Sequence, residues 1–339
     1  MKVLVTGAGG HLGYNLVQAL LDEGHTVRAS IRTTKDAAAV ARLQGLGPVE
    51  VVGAQLEDGA ELRAAMEGVD IVFHTAAVYL LYAPGRDDEI VKASTDGVER
   101  ALLAAKDAKV GRVILTSSVV TLPLRTPGAP PATEADWNED LRVPYFRAKT
   151  VAEQKAWALA RDHGIDLVSV LPAAFAGPGF IRPTPTVDLI ASIMNKAMDI
   201  AAPPGTYPYV DVRDVARAHV LAMAPAATGR YLVINEPIPT FFEIAKLMHA
   251  IDPAIPSPKF ELPQFTMRAV PLLDRINSWM GGNSRSMTPE MAATLAGKRF
   301  NATAARARAD LGWKPEISLR QSLADTISTL RALRTSQAA

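Results

Sequence analysis

Short runs rich in Val, Ile and Leu alternate with longer amphipathic segments through the first half of the chain. The short runs predict buried strands at Lys2 to Thr6, Thr26 to Ile31, Val49 to Val52, Ile71 to His74, Arg112 to Thr116 and Asp166 to Leu171. The amphipathic segments predict helices at Leu12 to Glu23, Asp36 to Gln44, Ala60 to Met66, Ile90 to Asp107 and Tyr145 to His163. Continuous apolar strands that alternate with helices pair in parallel through crossovers, so the pattern predicts an α/β fold with a doubly wound sheet.

This regular alternation ends in the second half of the chain. Residues 172–185 and 202–208 are crowded with Pro and Gly, which is typical of loops. A helical pattern at Asp214 to Met223 and a strand-like run at Tyr231 to Ile234 predict that the chain returns to the sheet, and the region after Phe241 is mostly helical. We therefore expect two domains: a sheet domain of residues 1–171 with 209–236, and a smaller, loop-rich, mostly helical domain of residues 172–208 with 237–335.

Composition narrows the class of protein. The 339 residues include 36 Lys and Arg against 35 Asp and Glu, so a formal charge of +1 gives no reason to expect nucleic acid or an acidic membrane surface as a partner. The sequence has no cysteine, which excludes disulfides and thiol nucleophiles. Its opening apolar run is too short for a signal sequence, and no apolar stretch of about 18 residues predicts a membrane span. We expect a cytoplasmic protein.

A glycine-rich loop, Thr6-Gly7-Ala8-Gly9-Gly10-His11-Leu12-Gly13, follows the first predicted strand and opens the first helix. Gly7 permits a sharp turn, Gly10 lets backbone amides approach a pyrophosphate, and Gly13 lets the helix pack closely on the strand. The positive end of the helix dipole then faces the phosphate charge. A glycine triplet in this strand–loop–helix setting predicts that the sheet domain binds a dinucleotide at the carboxyl edge of its strands.

Arg32 lies nineteen residues after Gly13, at the end of the second predicted strand. An acidic residue at this place holds the ribose 2′-hydroxyl of NAD, whereas an arginine suits the 2′-phosphate of NADP. No Asp or Glu occurs between Thr26 and Lys35. The sequence therefore favours NADP, with Arg32 on the phosphate and Arg28 or Lys35 as an additional cation.

Tyr145 and Lys149 stand four residues apart in a segment with a helical pattern. Side chains at that spacing share one helix face, so an ammonium can approach a phenol. A nearby cation lowers the pKa of a phenol from its usual value of about 10, and each unit corresponds to about 1.36 kcal/mol in favour of the phenolate. The pair is therefore a candidate proton donor to a carbonyl oxygen, although the spacing alone is common in ordinary helices.

Together these motifs resemble the extended short-chain dehydrogenase/reductases over nearly the whole chain. Besides the glycine loop and the Tyr-Lys pair, the resemblance rests on His74-Thr75-Ala76-Ala77 after the fourth strand and on Leu115-Thr116-Ser117-Ser118 on the fifth. The stretches Glu134 to Asn138 and Tyr209 to His219 are similar to the branch that holds dihydroflavonol 4-reductase, cinnamoyl-CoA reductase and microbial aldehyde and ketone reductases. The resemblance implies a Rossmann-like fold and a nicotinamide cofactor.

The resemblance also implies roles for individual residues. Tyr145 would donate the proton, Lys149 would activate it and bind the nicotinamide ribose, and Ser118 would orient the substrate carbonyl. Ser117 is the neighbour with which Ser118 could be confused, since adjacent strand residues point in opposite directions. The other residues implied to line the cofactor are Gly7, Gly10, His11, Leu12, Ala76, Ala77 and Pro172.

Two positions depart from the pattern of the relatives. Gln55-Leu56 stands where many of them carry Asp-Leu to hold adenine, so an amide would replace the carboxylate. Ser94 stands where an asparagine is expected in the helix after the fourth strand, which leaves a proton-relay or bracing role at that position open. Neither departure touches the hydride-transfer chemistry directly.

The expected activity is NADPH-dependent reduction of a carbonyl to an alcohol, or the reverse oxidation. The segments expected to wall the substrate are mostly apolar, which suits an aryl or alkyl ketone or aldehyde, although such residues also pack one domain against another. They contribute Tyr79, Leu80, Leu81, Tyr82, Leu122, Phe175 and Phe180.

Other functions stay open at this point. A nucleotide-sugar epimerase or dehydratase with NAD is one alternative, and convergence of Arg268 and Arg275 on the pocket would support it. A 3β-hydroxysteroid dehydrogenase and a non-catalytic NADP sensor are others. A homodimer through the helix that carries Ala101, Ala104 and Ala105 is also compatible with the sequence, unless these alanines pack on their own sheet.

Overall fold

The computed structural model describes residues 1–76, 86–268 and 288–338. Its main strands are β1 (Lys2–Thr6), β2 (Thr26–Ile31), β3 (Val49–Gly53), β4 (Ile71–His74), β5 (Arg112–Thr116), β6 (Leu167–Pro172) and β10 (Gly229–Val233). They form one seven-stranded sheet in the order β10-β6-β5-β4-β1-β2-β3, and every pairing in it is parallel. The predicted doubly wound, Rossmann-like α/β fold is confirmed, and the first six strands match the predicted ranges to within one residue at each end.

Helices connect these strands and cover both faces of the sheet. They are α1 (His11–Asp22), α2 (Ala37–Gln44), α3 (Gly59–Met66), α4 (Asp87–Asp107), α5 (Pro144–His163) and α7 (Val212–Leu221). The limits of α5 follow from its sequence, because Pro144 occupies the first turn and Gly164 just past the end adopts a φ of 65°. Tyr145 therefore lies in the first turn of α5 and Lys149 one turn later.

The sheet is buried on both faces, as its continuous apolar strands predict. Val3 and Val5 of β1 pack with Leu16 of α1 in one cluster, whereas Leu4 between them packs with Leu102 of α4 in the other. Side chains alternate across a strand, so this division places α1 and α7 on one face and α3 and α4 on the opposite face. The functional motifs are thereby left at the carboxyl ends of the strands.

The remaining elements belong to the part of the chain where the regular alternation fails. They are β7 (Ala174–Ala176), β8 (Ala201–Ala202), β9 (Tyr209–Asp211), β11 (Phe260–Glu261), α6 (Pro185–Met194), α8 (Phe241–Ile251), α9 (Pro289–Leu295), α10 (Ala305–Leu311) and α11 (Leu319–Ala338). β7 pairs with β9 and β8 with β11, both in parallel. Ile190, Ile244 and Leu323 bring α6, α8 and α11 into one apolar cluster. The division into two domains stays a prediction.

Candidate active site

Steric limits require glycine at two positions of the glycine-rich loop. Gly7 has a φ of 67°, and a Cβ atom there would lie 2.9 Å from the Cα of Ala76. A Cβ on Gly13 would lie 2.3 Å from the carbonyl oxygen of Gly7. Real Cβ atoms do not approach backbone this closely, so both positions require glycine and hold the loop, α1 and the end of β4 in contact.

The same loop fits a pyrophosphate. α1 begins at His11, and Gly10 before it has no side chain to cap the first turn, which contains no acidic residue. The first amides of α1 thus have no intrahelical acceptor and are available to bind an anion such as a phosphate. Leu12 is buried beneath this turn. The arrangement fits the roles predicted for Gly7, Gly10 and Leu12.

The His11 side chain has a second task that the sequence did not indicate. Its Nε2 lies 3.2 and 3.1 Å from the carbonyl oxygens of Gly177 and Pro178, and its ring packs edge-on against Phe180 with centroids 5.1 Å apart. Because both partners are acceptors, Nε2 carries the proton and donates it. Burial lowers the pKa of His11 to about 4. Its backbone remains a candidate phosphate ligand, while its neutral ring holds the 177–180 loop.

The basic residues predicted to select NADP lie in different settings. Arg32 follows the last residue of β2, and both Arg32 and Lys35 are exposed and form no ion pair with another described residue. Arg28 instead donates to the carbonyls of Ala65 and Glu67 and pairs with Glu50 at 2.9 Å. The structure thus leaves Arg32 and Lys35 available to an anion, and the suggestion that Arg28 assists them is wrong because its guanidinium is already engaged.

The other residues predicted to bind the cofactor differ in their exposure and in their neighbours. Gln55 is exposed, and its backbone amide donates to Glu61 at 2.9 Å. Pro172 ends β6 and is buried, and Ala76 lies against Gly7. Leu56 packs near Gly97 of α4. Ala77 lies outside the described residues.

Lys149 lines a small cavity of about 30 Å³. Burial lowers the pKa of its ammonium from 10.5 to about 8, and attraction to Glu153 opposes that fall. His74 lines the same cavity and is fully enclosed; burial, with repulsion from Lys149, lowers its pKa to about 4. Ser94 also lines the cavity. Tyr145, one turn before Lys149, is only 8% exposed.

The two candidate serines differ in what their hydroxyls do. Ser117 Oγ donates to the Glu153 carboxylate at 2.6 Å. Ser118 begins a 3-10 turn, and its Oγ accepts a long bond of 3.4 Å from the amide of Val120. An accepting hydroxyl keeps its own proton for another acceptor, such as a carbonyl oxygen. The geometry therefore favours Ser118 over Ser117 for the predicted role.

Comparison with known proteins places this set of residues in a family. The model of the NAD dependent epimerase/dehydratase family matches residues 3–235, which include the glycine loop, both serines and the Tyr-Lys pair. The chain belongs to this family. The predicted membership of the extended short-chain dehydrogenase/reductases is thereby confirmed.

Similar proteins include reductases of the predicted branch. The chain is 36% identical over 276 residues to cinnamoyl-CoA reductase 1 of Arabidopsis thaliana, which covers 76% of each sequence. It is 33% identical over 338 residues to sterol demethylase protein B of Methylococcus capsulatus, covering 98% of each. The solved structure of yeast methylglyoxal/isovaleraldehyde reductase Gre2 with NADPH has a TM-score of 0.77 at 20% identity and covers 99% of each chain, which shows a shared fold.

In this short-chain dehydrogenase/reductase, Glu153 and Arg230 join the site although the sequence reasoning assigned them no role. Arg230 of β10 donates from Nε to Glu153 Oε1 at 3.0 Å, and Glu153 also accepts from Ser117. A usable signal existed for Glu153, since it follows Lys149 by four residues and so shares its helix face. No comparable signal exists for Arg230, because its partner Glu153 lies on a different element, 77 residues away in the chain.

Several residues expected to wall the substrate have other surroundings. Phe175 and Phe180 pack against the ring of His11, with centroids 5.6 and 5.1 Å away, and Phe180 is only 4% exposed. They join parts of the protein, as the alternative reading allowed. Leu122 is also buried, at 2% exposure. Outside the described part of the chain lie Tyr79, Leu80, Leu81, Tyr82, Arg275 and the side chain of Arg268.

The described residues can be compared with the predictions about a dimer partner, a membrane and a metal ion. Ala101, Ala104 and Ala105 are each at most 4% exposed within a single chain, so they pack on their own fold, and the homodimer stays a prediction. Within residues 1–76, 86–268 and 288–338, no helix is both long and apolar enough to cross a membrane. The same ranges contain no group of three His, Asp or Glu side chains that could hold a metal ion.

Proposed function

We propose that this protein reduces an apolar ketone or aldehyde to an alcohol with NADPH, and catalyses the reverse oxidation. The observation that carries the proposal is the state of Lys149: it shares a helix face with Tyr145, and burial brings the pKa of its ammonium to about 8. Such an ammonium is charged at neutral pH and stabilises a phenolate beside it.

The chemistry follows from the growth of negative charge on the carbonyl oxygen. When bound, the reduced nicotinamide supplies the hydride. Ser118 Oγ and Tyr145 Oη donate hydrogen bonds to the oxygen, and Tyr145 then transfers its phenolic proton to it. Lys149 stabilises the phenolate that remains and binds the nicotinamide ribose. The first amides of α1 hold the pyrophosphate.

The choice of NADPH rests on charge at the end of β2. Arg32 and Lys35 are exposed cations without an ion-pair partner in the described structure, and no carboxylate stands between Thr26 and Lys35 to favour a free 2′-hydroxyl. The family description names NAD, so an NAD-dependent epimerase or dehydratase is the main competitor. Comparing the KM values for NADPH and NADH distinguishes the two.

Tyr145→Phe tests the proposal. We expect turnover to fall by at least about 100-fold, because the general acid is lost, while NADPH binding by calorimetry stays near the wild-type value. The assay is NADPH consumption over aryl ketones, aliphatic aldehydes, 3-keto esters and cinnamoyl thioesters. Tyr207→Phe is the matched control, since that ring packs on Phe241 with centroids 5.3 Å apart, in the second half of the chain. Near-normal turnover of Tyr145→Phe would refute the assignment.

A second candidate is oxidation of a 3β-hydroxysteroid. It is favoured by the likeness to sterol demethylase protein B, which extends over 98% of both chains, further than the likeness to cinnamoyl-CoA reductase 1. The same Ser118, Tyr145 and Lys149 would act in reverse, with the tyrosine as base. Reduction of NADP⁺ or NAD⁺ by 3β-hydroxysteroids, without activity on small ketones, would favour this candidate.

A further inference from the structure

A buried ion pair lies behind Lys149. Glu153 is 1% exposed and follows Lys149 by one turn of α5, whereas Arg230 is 6% exposed and comes from the edge strand β10. Arg230 Nε lies 3.0 Å from Glu153 Oε1 and Nη2 lies 3.3 Å from Oε2. A bidentate pair of this kind holds both side chains in a fixed orientation and favours the charged form of each.

The remaining donors of Arg230 are also occupied. Nη1 donates to the carbonyl oxygens of Glu134 and Asp136, each at 2.8 Å, and Nη2 donates to Thr121 Oγ1 at 2.8 Å. The guanidinium carbon lies 3.7 Å from the ring centroid of Trp137. Arg230 thereby joins β10 to the 3-10 turn that Ser118 begins and to the 134–138 loop. A buried charge satisfied this completely has a fixed position relative to its neighbours.

Lys149 faces few other charges. The cavity around it is lined from β4 by His74, which is neutral because burial lowers its pKa to about 4. The residues that α4, β5 and the position after β5 contribute to the described lining are all uncharged: Ala93, Ser94, Gly97, Val98, Leu115, Thr116 and Ser117. Glu153 is the one carboxylate among the described residues of this lining. Besides Tyr145, one turn earlier on α5, the groups on which the field at the ammonium depends are therefore Glu153 and the cation bound to it.

We propose that Glu153 and Arg230 are positioning residues that together set the charge state of Lys149, Glu153 by attracting its ammonium and Arg230 by limiting that attraction. The inference rests on the proposed function only where turnover is the readout. It predicts that loss of Glu153 and loss of Arg230 shift the pKa of Lys149 in opposite directions. Loss of the carboxylate leaves a buried guanidinium that repels Lys149, whereas loss of the guanidinium leaves a carboxylate whose remaining neighbouring cation, among the described residues that line the cavity, is Lys149.

The first test is the pH dependence of kcat for carbonyl reduction. Because Lys149 must be protonated, we expect wild-type activity to fall as the pH rises through about 8. We expect Glu153→Gln to move this alkaline limb to lower pH by about one unit, and Arg230→Gln to move it to higher pH. Arg230→Lys keeps the charge and should leave the limb near its wild-type position. Shifts of both Gln variants in the same direction, or of neither, would overturn the proposal.

The second test does not need turnover. The ¹³Cε resonance of Lys149, in protein labelled with ¹³C-lysine and assigned by its loss in Lys149→Met, reports the titration directly. The expected order of the pKa is Glu153→Gln lowest, then wild type, then Arg230→Gln. If wild-type protein reduces no carbonyl but this order holds, the proposed function fails and the ion-pair inference stands.

A double variant covers the case in which a single variant fails to fold. Removing one partner of a buried pair leaves an uncompensated charge, whereas removing both does not. Glu153→Gln with Arg230→Met should therefore fold, and its Lys149 pKa should lie below that of wild type because the attraction is gone. A wild-type or higher pKa in this protein would contradict the proposal.

Discussion

The glycine loop and the amino-terminal half of α5 both contribute to the candidate site, yet different physical quantities constrain them. At the loop the constraint is space, since a Cβ on Gly13 would lie 2.3 Å from the carbonyl oxygen of Gly7. At α5 the constraint is charge, since Lys149 is enclosed with a pKa of about 8 and faces the buried carboxylate of Glu153. The loop should therefore respond to added volume, and the amino-terminal half of α5 to altered charge.

The largest effect should come from Gly13→Ala. The added methyl group displaces backbone at the turn that offers its amides to the pyrophosphate, so we expect NADPH affinity to fall by at least about 100-fold and the free energy of unfolding to fall by about 1–3 kcal/mol. Calorimetry and urea denaturation measure these. Gly59→Ala is the control, because nothing lies within 4 Å of a Cβ at that position. An unchanged NADPH affinity in Gly13→Ala would contradict the conclusion that steric limits constrain the glycine loop.

A smaller effect is expected from Arg32→Ala, which alters charge beside the loop without altering its shape. Loss of charge-assisted hydrogen bonds of about 1.5–3 kcal/mol should raise the KM for NADPH by about 10- to 100-fold and leave the KM for NADH nearly unchanged. Arg63→Ala, another exposed arginine, should change neither. Equal losses for both cofactors would argue against a contact with the 2′-phosphate.

A further prediction concerns stability and not cofactor binding, at His219, which is buried and bonded to the last residue of β5. Its Nε2 accepts from Thr116 Oγ1 at 2.8 Å, its Nδ1 donates to the carbonyl of Val215 at 2.8 Å, and burial lowers its pKa to about 4. In the unfolded chain His219 is protonated below about pH 6.5, whereas in the folded protein it stays neutral down to about pH 4. The free energy of unfolding therefore decreases as the pH is lowered from 6.5 to 4, by on the order of 3 kcal/mol from this residue.

The check is the slope of unfolding free energy against pH over that range. His219→Gln should flatten the slope, although it lowers stability at pH 7. Thr116→Val is the matched control, since it deletes the same hydrogen bond but keeps the titrating ring and should keep the slope. If both variants give the wild-type slope, His219 makes no pH-dependent contribution.

The sheet was predictable because its information is local. Each strand from β1 to β6 is a short run rich in Val, Ile, Leu or Ala, and the alternation with helices favours parallel pairing. The short strands β7, β8, β9 and β11 have two or three residues each, among Pro and Gly, and such lengths show no periodicity. Their pairing depends on neighbours that are distant in sequence.

For the candidate site, too, the features set by nearby residues were predictable and those set by distant partners were not. The glycine loop and the Tyr145–Lys149 pair are each one turn or loop long, so spacing alone predicted which side chains would lie together. The predicted help from Arg28 failed, whereas the substrate contact of Phe180 stays a prediction, because the surroundings of both residues depend on partners far along the chain. Glu50 engages the first, and His11 packs against the second.

By itself, the sequence determined the parallel sheet, the glycine positions of the loop and the helix face shared by Tyr145 and Lys149, because each depends on backbone periods and steric limits over a few residues. Only the tertiary structure decided that Ser117 is engaged while Ser118 is available, and that Arg230 pairs with Glu153 across 77 residues of chain. Burial and charge pairing depend on which segments meet in space, and no local pattern records that.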